Sequence, residues 1–318
     1  MGKITAGIRS WRRALGVAAA MGLGSILGAS AADAAAPSLQ WKFKAGEALH
    51  YQMEQKTVTE VKGGAGQDIT TTVNQTMDTT WTVKSVDAAT GSAEMIQTID
   101  RIKTKIESPF GTFEYDSKEA KEPVGQIAAS VVPMLKAIVG AKFEYKMSVH
   151  GELSDVKVPP GLINSLKEAN PAGSGVTMFS EDGLKNMINE SSLLLPAGPL
   201  EKPWTRQTKI PSPPIGSLVL DKTYKYDGSE AGSEKIALDV IVKLEPDDKA
   251  KAPFDIKLGE QEGKGTFLFD NNLGRVVSSK VSEKIQLLIN VMDNKTVQKT
   301  DTSTSMKLLK PDAVKESK

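Results

Sequence analysis

The sequence predicts an α+β protein that is mostly β, with long antiparallel strands in curved sheets or a half-barrel around a central helical insert. Three observations predict it. Apolar and polar residues alternate over long stretches on both sides of the chain's middle, the period of half-buried strands. Between about residues 123 and 190 the spacing changes to three and four, the period of helices. Tight turns rich in Gly, Asn and Asp join the alternating stretches, as antiparallel hairpins require.

The 318 residues allow two domains or one large β domain. Hydrophobic residues make up 39%, and the 27 glycines bring the total close to the usual apolar share of roughly 45–50%, so the chain can bury a core. We divide it into a signal peptide at 1–34, an N-terminal β region with the helical insert at 35–200, a C-terminal antiparallel β region at 201–310 and a frayed tail at 311–318.

Lys3, Arg9, Arg12 and Arg13 precede an apolar run from Ala14 to Leu27 that ends in small residues. This is the layout of a secretory signal peptide, and the run is too short for the ~20 residues of a membrane span. Cleavage is expected after Ala31 or Ala34, since cleavage after Ala36 would put Pro37 first. The localisation expected is therefore periplasmic or extracellular, with no membrane span in the mature chain. Arg12-Arg13 lacks the bulky residue that a twin-arginine signal wants where Gly16 stands.

Leu39, Trp41 and Phe43 alternate with Gln40, Lys42 and Lys44, and Leu49, Tyr51 and Met53 continue the habit to Val61, so two strands are expected there. Val73, Met77, Trp81 and Val83 mark the next strand, and Asp87 to Gly91 the turn after it. In 93–106 the apolar face slips parity near Ile99, which predicts a bulge. Ser108-Pro-Phe-Gly111 then turns the chain into Phe113 and Tyr115.

Val124, Ile127, Ala128, Val131, Leu135 and Ile138 recur at three and four, predicting a helix over 123–139 with Gly140 past its end. Pro133 in its middle should kink it. A hairpin is expected around His150-Gly151, followed by helices over about 160–169, stopped by Asn170-Pro171, and 180–190. Ser180 should cap the latter, with Glu181 and Asp182 in the first turn and Phe179 and Leu184 as a hydrophobic staple.

Pro196 to Pro214 holds six of the sixteen prolines and reads as an extended link with Trp204 docked. Ile236 to Leu244 alternates without fault, and so does Val277 to Val291 once Ser279 and Glu283 are allowed. Asp270 to Gly274 is a turn in which Gly274 can supply a positive φ. A last strand covers Val297 to Leu309. A twofold duplication is conceivable from the two β regions, though residue identity does not support it.

Two His and no Cys exclude disulfides, thiolate metal sites and cysteine nucleophiles, so no cofactor and no metal site is expected. Removing residues 1–34 leaves 36 bases against 38 acids, and only Arg101, Arg206 and Arg275 remain among 33 lysines. A near-neutral, arginine-poor chain is a poor nucleic-acid binder, and lysine reads as the solvated strand face.

No catalytic residue is assigned. His50 lies on the polar parity of its strand, His150 in a turn, and no nucleophile elbow is present. Asp100 and Asp239 lie within strands, Asp247-Asp248 in a turn, and none has a distinctly apolar setting. Asp270-Asn-Asn-Leu-Gly274 lacks the spacing of a calcium loop, the glycine strings at 63–66 and 172–175 match no phosphate loop, and Asn74, Asn189 and Asn294 head glycosylation sequons.

The strings LQWKFKAGEALHYQM, GAKFEYKMSVHGELSDV and GTFLFDNNLGRVVSSKV resemble an uncharacterised family of exported bacterial proteins across nearly the whole mature chain. The order of elements is also similar, more loosely, to periplasmic lipoprotein-carrier half-barrels. That resemblance implies a curved antiparallel sheet over an apolar cavity. The chain departs from the mycobacterial lipid-carrying relatives in having no lipid-anchor cysteine.

The function expected is a non-enzymatic binding or carrier protein for an apolar ligand or a lipidated partner in the cell envelope. Ile127, Val131, Leu135 and Ile138 are the candidate lining residues, from the bulge near Ile99 and the Pro133 kink. The alternative is a structural or interaction component of the envelope, whose strand edges meet other proteins without any small-molecule ligand. A hydrolase working by carboxylates alone is the third reading, and it would need acids buried in a cleft.

Overall fold

A computed structural model describes residues 38–63, 68–169, 180–212, 216–246, 254–291 and 294–310. These residues lie within one compact unit, Ala36–Lys318. The expected signal peptide, Asn170-Pro171, the glycines of 64–66 and 172–175, Phe179, Pro213-Pro214, Asp247-Asp248 and the tail of 311–318 lie outside the described residues.

The elements run β1 (Ala48–Gly63), β2 (Ile69–Val86), β3 (Ala93–Ser108), β4 (Gly111–Asp116), α1 (Gln126–Ile138), β5 (Lys142–Met147) and β6 (Leu153–Lys157). Then come α2 (Leu162–Ala169), α3 (Glu181–Asn189), β7 (Trp204–Ser212), β8 (Gly216–Glu230), β9 (Ser233–Glu245), β10 (Phe254–Asp270), β11 (Arg275–Val291) and β12 (Asn294–Leu308). The strands form one antiparallel twelve-stranded sheet in the order β6-β5-β3-β2-β1-β12-β11-β10-β9-β8-β7, with β4 beside β3. The two β regions of the sequence are thus one sheet. They join along β1 and β12, from Tyr51 opposite Leu308 to Gly63 opposite Thr296.

The sheet is curved, because its two ends meet one helix: α3 packs against both β6 and β7. Two local devices assist the bend. Asp100 is an extra residue in β3, between the pairs Thr79–Ile99 and Asp78–Arg101, and this is the bulge that the parity slip predicts. In β10, Gly263 leaves room for Val240 and Gly265 for Leu238 on the β9 side and Val281 on the β11 side, each of which a Cβ would meet within 3.3 Å.

The bulge also receives the end of α1. Gly140, at φ 78°, donates its N–H to the Ile99 carbonyl at 2.8 Å. Ala128, Val132 and Ile138 of α1 are buried, and the helix packs on α2 and β4, so the apolar middle of the chain lies against the sheet.

One core extends through both halves of the sheet. It holds Leu39, Trp41, Trp81, Met95, Phe143, Leu184, Ile188, Leu238, Val240, Phe269 and Val276. Trp41 is at its base, 5.7 Å from Phe269 edge-on and 6.2 Å from Trp81.

Two sequence expectations need correction. Leu39 to Phe43 is extended but not a strand: Trp41 donates to the Val149 carbonyl and Lys42 to the Gly274 carbonyl, so neighbouring amides bond different turns and no ladder forms. The proline-rich link is not merely a link, because its second half is β7. An edge strand needs partners on one side only, so Pro211 fits opposite Ser217. Trp204 is docked as expected, its Nε1 donating to the Leu194 carbonyl at 2.9 Å and its ring stacked on Tyr224.

Candidate functional site

Alternation assigns each strand residue a side. Tyr224, Leu238, Val240, Val242, Phe267 and Val281 share the core face, hereafter the inner face. On that face a row of residues crosses the C-terminal half of the sheet: Thr302, Glu283, Gly263, Val240, Lys222 and Arg206, each opposite the next. Three of the six are charged, on a face otherwise apolar nearby. Placing an ion on an inward-facing position costs desolvation unless a partner compensates.

Two of the three are compensated by Glu190, which immediately follows α3. The Lys222 ammonium pairs with Glu190 Oε2. Thr208, next to Arg206 on the same face of β7, donates its hydroxyl to Glu190 Oε1 at 2.5 Å. Arg206 Nε stands 3.7 Å from Oε1, and its Nη2 donates to the Asn189 carbonyl at 2.7 Å, satisfying an orphan acceptor at the helix end. Burial disfavours ionisation of Glu190, but Lys222, Thr208 and Arg206 outweigh it and hold the carboxyl below its usual range. The side chains of Lys222, Arg206 and Glu190 are 14%, 18% and 21% exposed, so this is an interior clasp rather than a surface pair.

Glu283 is different. Among the described residues its carboxylate has no hydrogen bond and no ion pair. Burial pushes its pKa up; Lys222 opposes the shift and Glu190 adds to it. Half-buried and inward, it is the loose charge of the row.

Beyond this row the strands run past the packed core. On β10 and β11 the same parity carries Leu258 and Ile285, half-buried against the margin of the core, and then Ile256, Leu287 and Ile289, half-buried beyond it. On β8 and β9 Leu218 and Leu220 pack at the core's margin, and Leu244, opposite Leu218, continues the surface. The neighbouring strands β12 and β1 contribute hydroxyls, with Thr300 opposite Thr59 and Thr302 opposite Thr57. The inner face is therefore oily and only partly covered along one flank, bordered by Thr on the other.

The four sequence-derived lining residues lie elsewhere. Ile127, Val131 and Leu135 pack on a second cluster of Phe113, Tyr115, Ala128 and Val132, and Ile138 joins the main core. The surface hollows described, about 310–470 Å³, involve none of them. These hollows are chiefly gaps between long outer-face side chains, as where Glu54, Lys56, Lys103 and Lys105 surround one.

The other residues weighed from the sequence have structural surroundings. His50 Nδ1 lies 2.8 Å from Thr80 Oγ1, which donates to Asp100 at 2.6 Å, so the hydroxyl separates the histidine from the acid. His150 contributes backbone bonds to the turn and to Leu195. Asp239 is exposed, and Asp270 accepts from the amides of Asn272 and Leu273 as a turn residue. No group of acids and histidines fit to hold a metal occurs among the described residues.

Sequence reasoning missed Lys222 and Arg206. The signal for Lys222 was its position in Leu218, Leu220, Lys222, Tyr224, Tyr226, a lysine on the apolar parity. Glu283 was visible as the exception in Val281 to Val291 but carried no assigned role.

Comparison with known proteins adds a family. The model of a family of unknown function (DUF6263) matches residues 90–276, from near the start of β3 to the start of β11. No curated protein matches the chain. Among solved structures, it is similar to DynF from the dynemicin biosynthesis pathway of Micromonospora chersina at 11% identity, over 88% of this chain and 89% of that one, with a TM-score of 0.22. It is also similar to OccK7 (OpdD) of Pseudomonas aeruginosa at 6% identity, over 83% of this chain and 100% of that one, with a TM-score of 0.22.

Proposed function

The chain belongs to the family of unknown function DUF6263, and from its own geometry we propose that it is a non-enzymatic binding or carrier protein that holds an apolar chain against the inner face of its sheet. The observation that carries this reading is the half-buried apolar surface of Ile256, Leu287 and Ile289, which continues the core face past Leu258 and Ile285 at the margin of the packed core. Partly wetted aliphatic area gains roughly 25 cal/mol per Å² when a ligand covers it. The outer face supports the same reading, since it is studded with Lys, Glu and Thr and its large exposed apolar residues, such as Ile241 and Leu288, are scattered.

Export fits this role. The basic and then apolar start of the sequence is the expected signal peptide, and the released protein would meet its ligand outside the cytoplasm.

The test is native mass spectrometry of protein purified from its own compartment, paired with titration of a fluorescent fatty acid. An added mass removed by delipidation, and saturable binding weakened by Leu287→Glu, are the expected results. Identical masses before and after delipidation, with no probe bound, would overturn the reading.

A further inference from the structure

We infer that Glu283 is the anchor for the polar end of the ligand, and that this end is a protonated amine. The inference rests on the proposed binding along the inner face and names the class of molecule that such a face would select: a single-chain amphiphile with a cationic head.

Three observations carry it. Glu283 faces inward from the middle of β11, two residues from Val281 and from Ile285, so a head at its carboxylate leaves the tail beside Ile285, Leu287 and Ile289. Its charge is unspent: the nearby ammonium of Lys222 is committed to Glu190, and no described residue donates to Glu283. Its cross-strand neighbours are Gly263, over which Val240 of β9 leans, and Thr302, so neither directly paired residue brings a long side chain onto the carboxylate.

Complementarity decides the sign of the head. A carboxylate or phosphate head would approach an unpaired acid while both inward cations near it are occupied by Glu190. An ammonium instead supplies the donor and the positive charge that Glu283 lacks, and a charge-assisted hydrogen bond of this kind is shorter and stronger than a neutral one. The Glu190 clasp then has a second effect, because it prevents Lys222 from neutralising Glu283 from within.

The experiment compares decylamine and decanoate at neutral pH, both below micellar concentrations, by calorimetric titration of the full mature chain and of its Glu283→Gln variant. The two probes share a tail and differ in head charge. The wild type is expected to bind the amine at least about tenfold more tightly, the size of one charge-assisted hydrogen bond, and the variant to lose that preference while still binding both. Equal binding of the two probes by the wild type, or a preference unchanged in the variant, would overturn the anchor but leave the apolar site standing. Failure of both probes to bind, or of decylamine while decanoate binds, would overturn the anchor, and failure of both would remove the apolar site with it.

Discussion

Trp41 and Trp81 lie close together with tilted rings at the base of the sheet, both about 2% exposed, yet their indole N–H groups differ. Trp41 Nε1 donates to the Leu193 carbonyl at 3.0 Å, tying the segment after α3 to the amino-terminal stretch. Trp81 Nε1 is buried without a partner among the described residues. Replacing each by Phe removes similar ring area, but only Trp41→Phe strands a buried carbonyl. That orphan should add roughly 1–3 kcal/mol to the cost, so urea denaturation is expected to rank Trp41→Phe as the more damaging variant. Glu283 gives a prediction with a pH signature. A folded-state pKa raised by burial means that ionisation opposes folding, so stability is lost as pH rises from the ordinary carboxyl range through the raised value. Glu283→Gln should therefore melt higher than wild type at neutral pH and match it in acid, where both are uncharged; a variant that melts lower at neutral pH would refute the burial argument. At this scale the sequence was legible wherever parity held and opaque where a charge sat on the apolar parity. Lys222 reads as one more solvated lysine until Glu190, 32 residues away in the chain, is brought onto it by the fold.

Elements were more legible than residues, because each is written in a local pattern. The helix following Ser180 is an example: Ser180 Oγ accepts the Gly183 amide at 3.0 Å, and Glu181 and Asp182 occupy the first turn. What the local pattern does not reveal is that α3 spans the gap between β6 and β7, the two ends of the sheet. Its cap therefore bears on more than one helix. Ser180→Ala is expected to cost about 1 kcal/mol, measured as a lower chemical midpoint, and to raise amide exchange in β7 and β6 as well as in α3. Exchange changes confined to α3 would mean that the helix does not hold the edges. The correction at β7 has the same origin: prolines mark breaks to a local reading, and only the position of β7 at the end of the sheet makes Pro211 harmless. The extended run at Leu39 to Phe43 is the converse case. Its alternation correctly gives burial, with Leu39 and Trp41 inside, but burial does not say whether a neighbour supplies a ladder.

The order of strands in the whole molecule has a mechanical consequence. From β1 the chain adds strands outward to β6, and from β7 it adds them inward to β12, so the first and last long strands meet in the middle. The seam between them is long, from Tyr51–Leu308 to Gly63–Thr296, and contacts cross from one half to the other at the base too: Tyr51 donates its hydroxyl to the Val276 carbonyl, and Arg275 grips Glu47 through two hydrogen bonds of 2.8 and 3.2 Å. Neither half can then be complete alone, since separating them would unpair one edge each of β1 and β12 and strip the core cluster that both share. Unfolding should be a single transition in which far-UV circular dichroism and tryptophan fluorescence coincide, because Trp41 and Trp81 report from one half and Trp204 from the other. A chain truncated before β12 tests the seam directly. It would expose the edges of β1 and β11, strands of 16 and 17 residues whose unpaired amides and carbonyls can pair with another molecule, so it is expected to aggregate rather than fold. A soluble truncated monomer with native-like circular dichroism would show that the halves are independent and that the sheet's closure at β1 and β12 contributes little. The same reasoning ties stability to the proposed ligand. The partly wetted residues Ile285, Leu287 and Ile289 lie on β11, next to that seam, so an apolar chain seated on them would stabilise the strand pairing on which the whole fold depends.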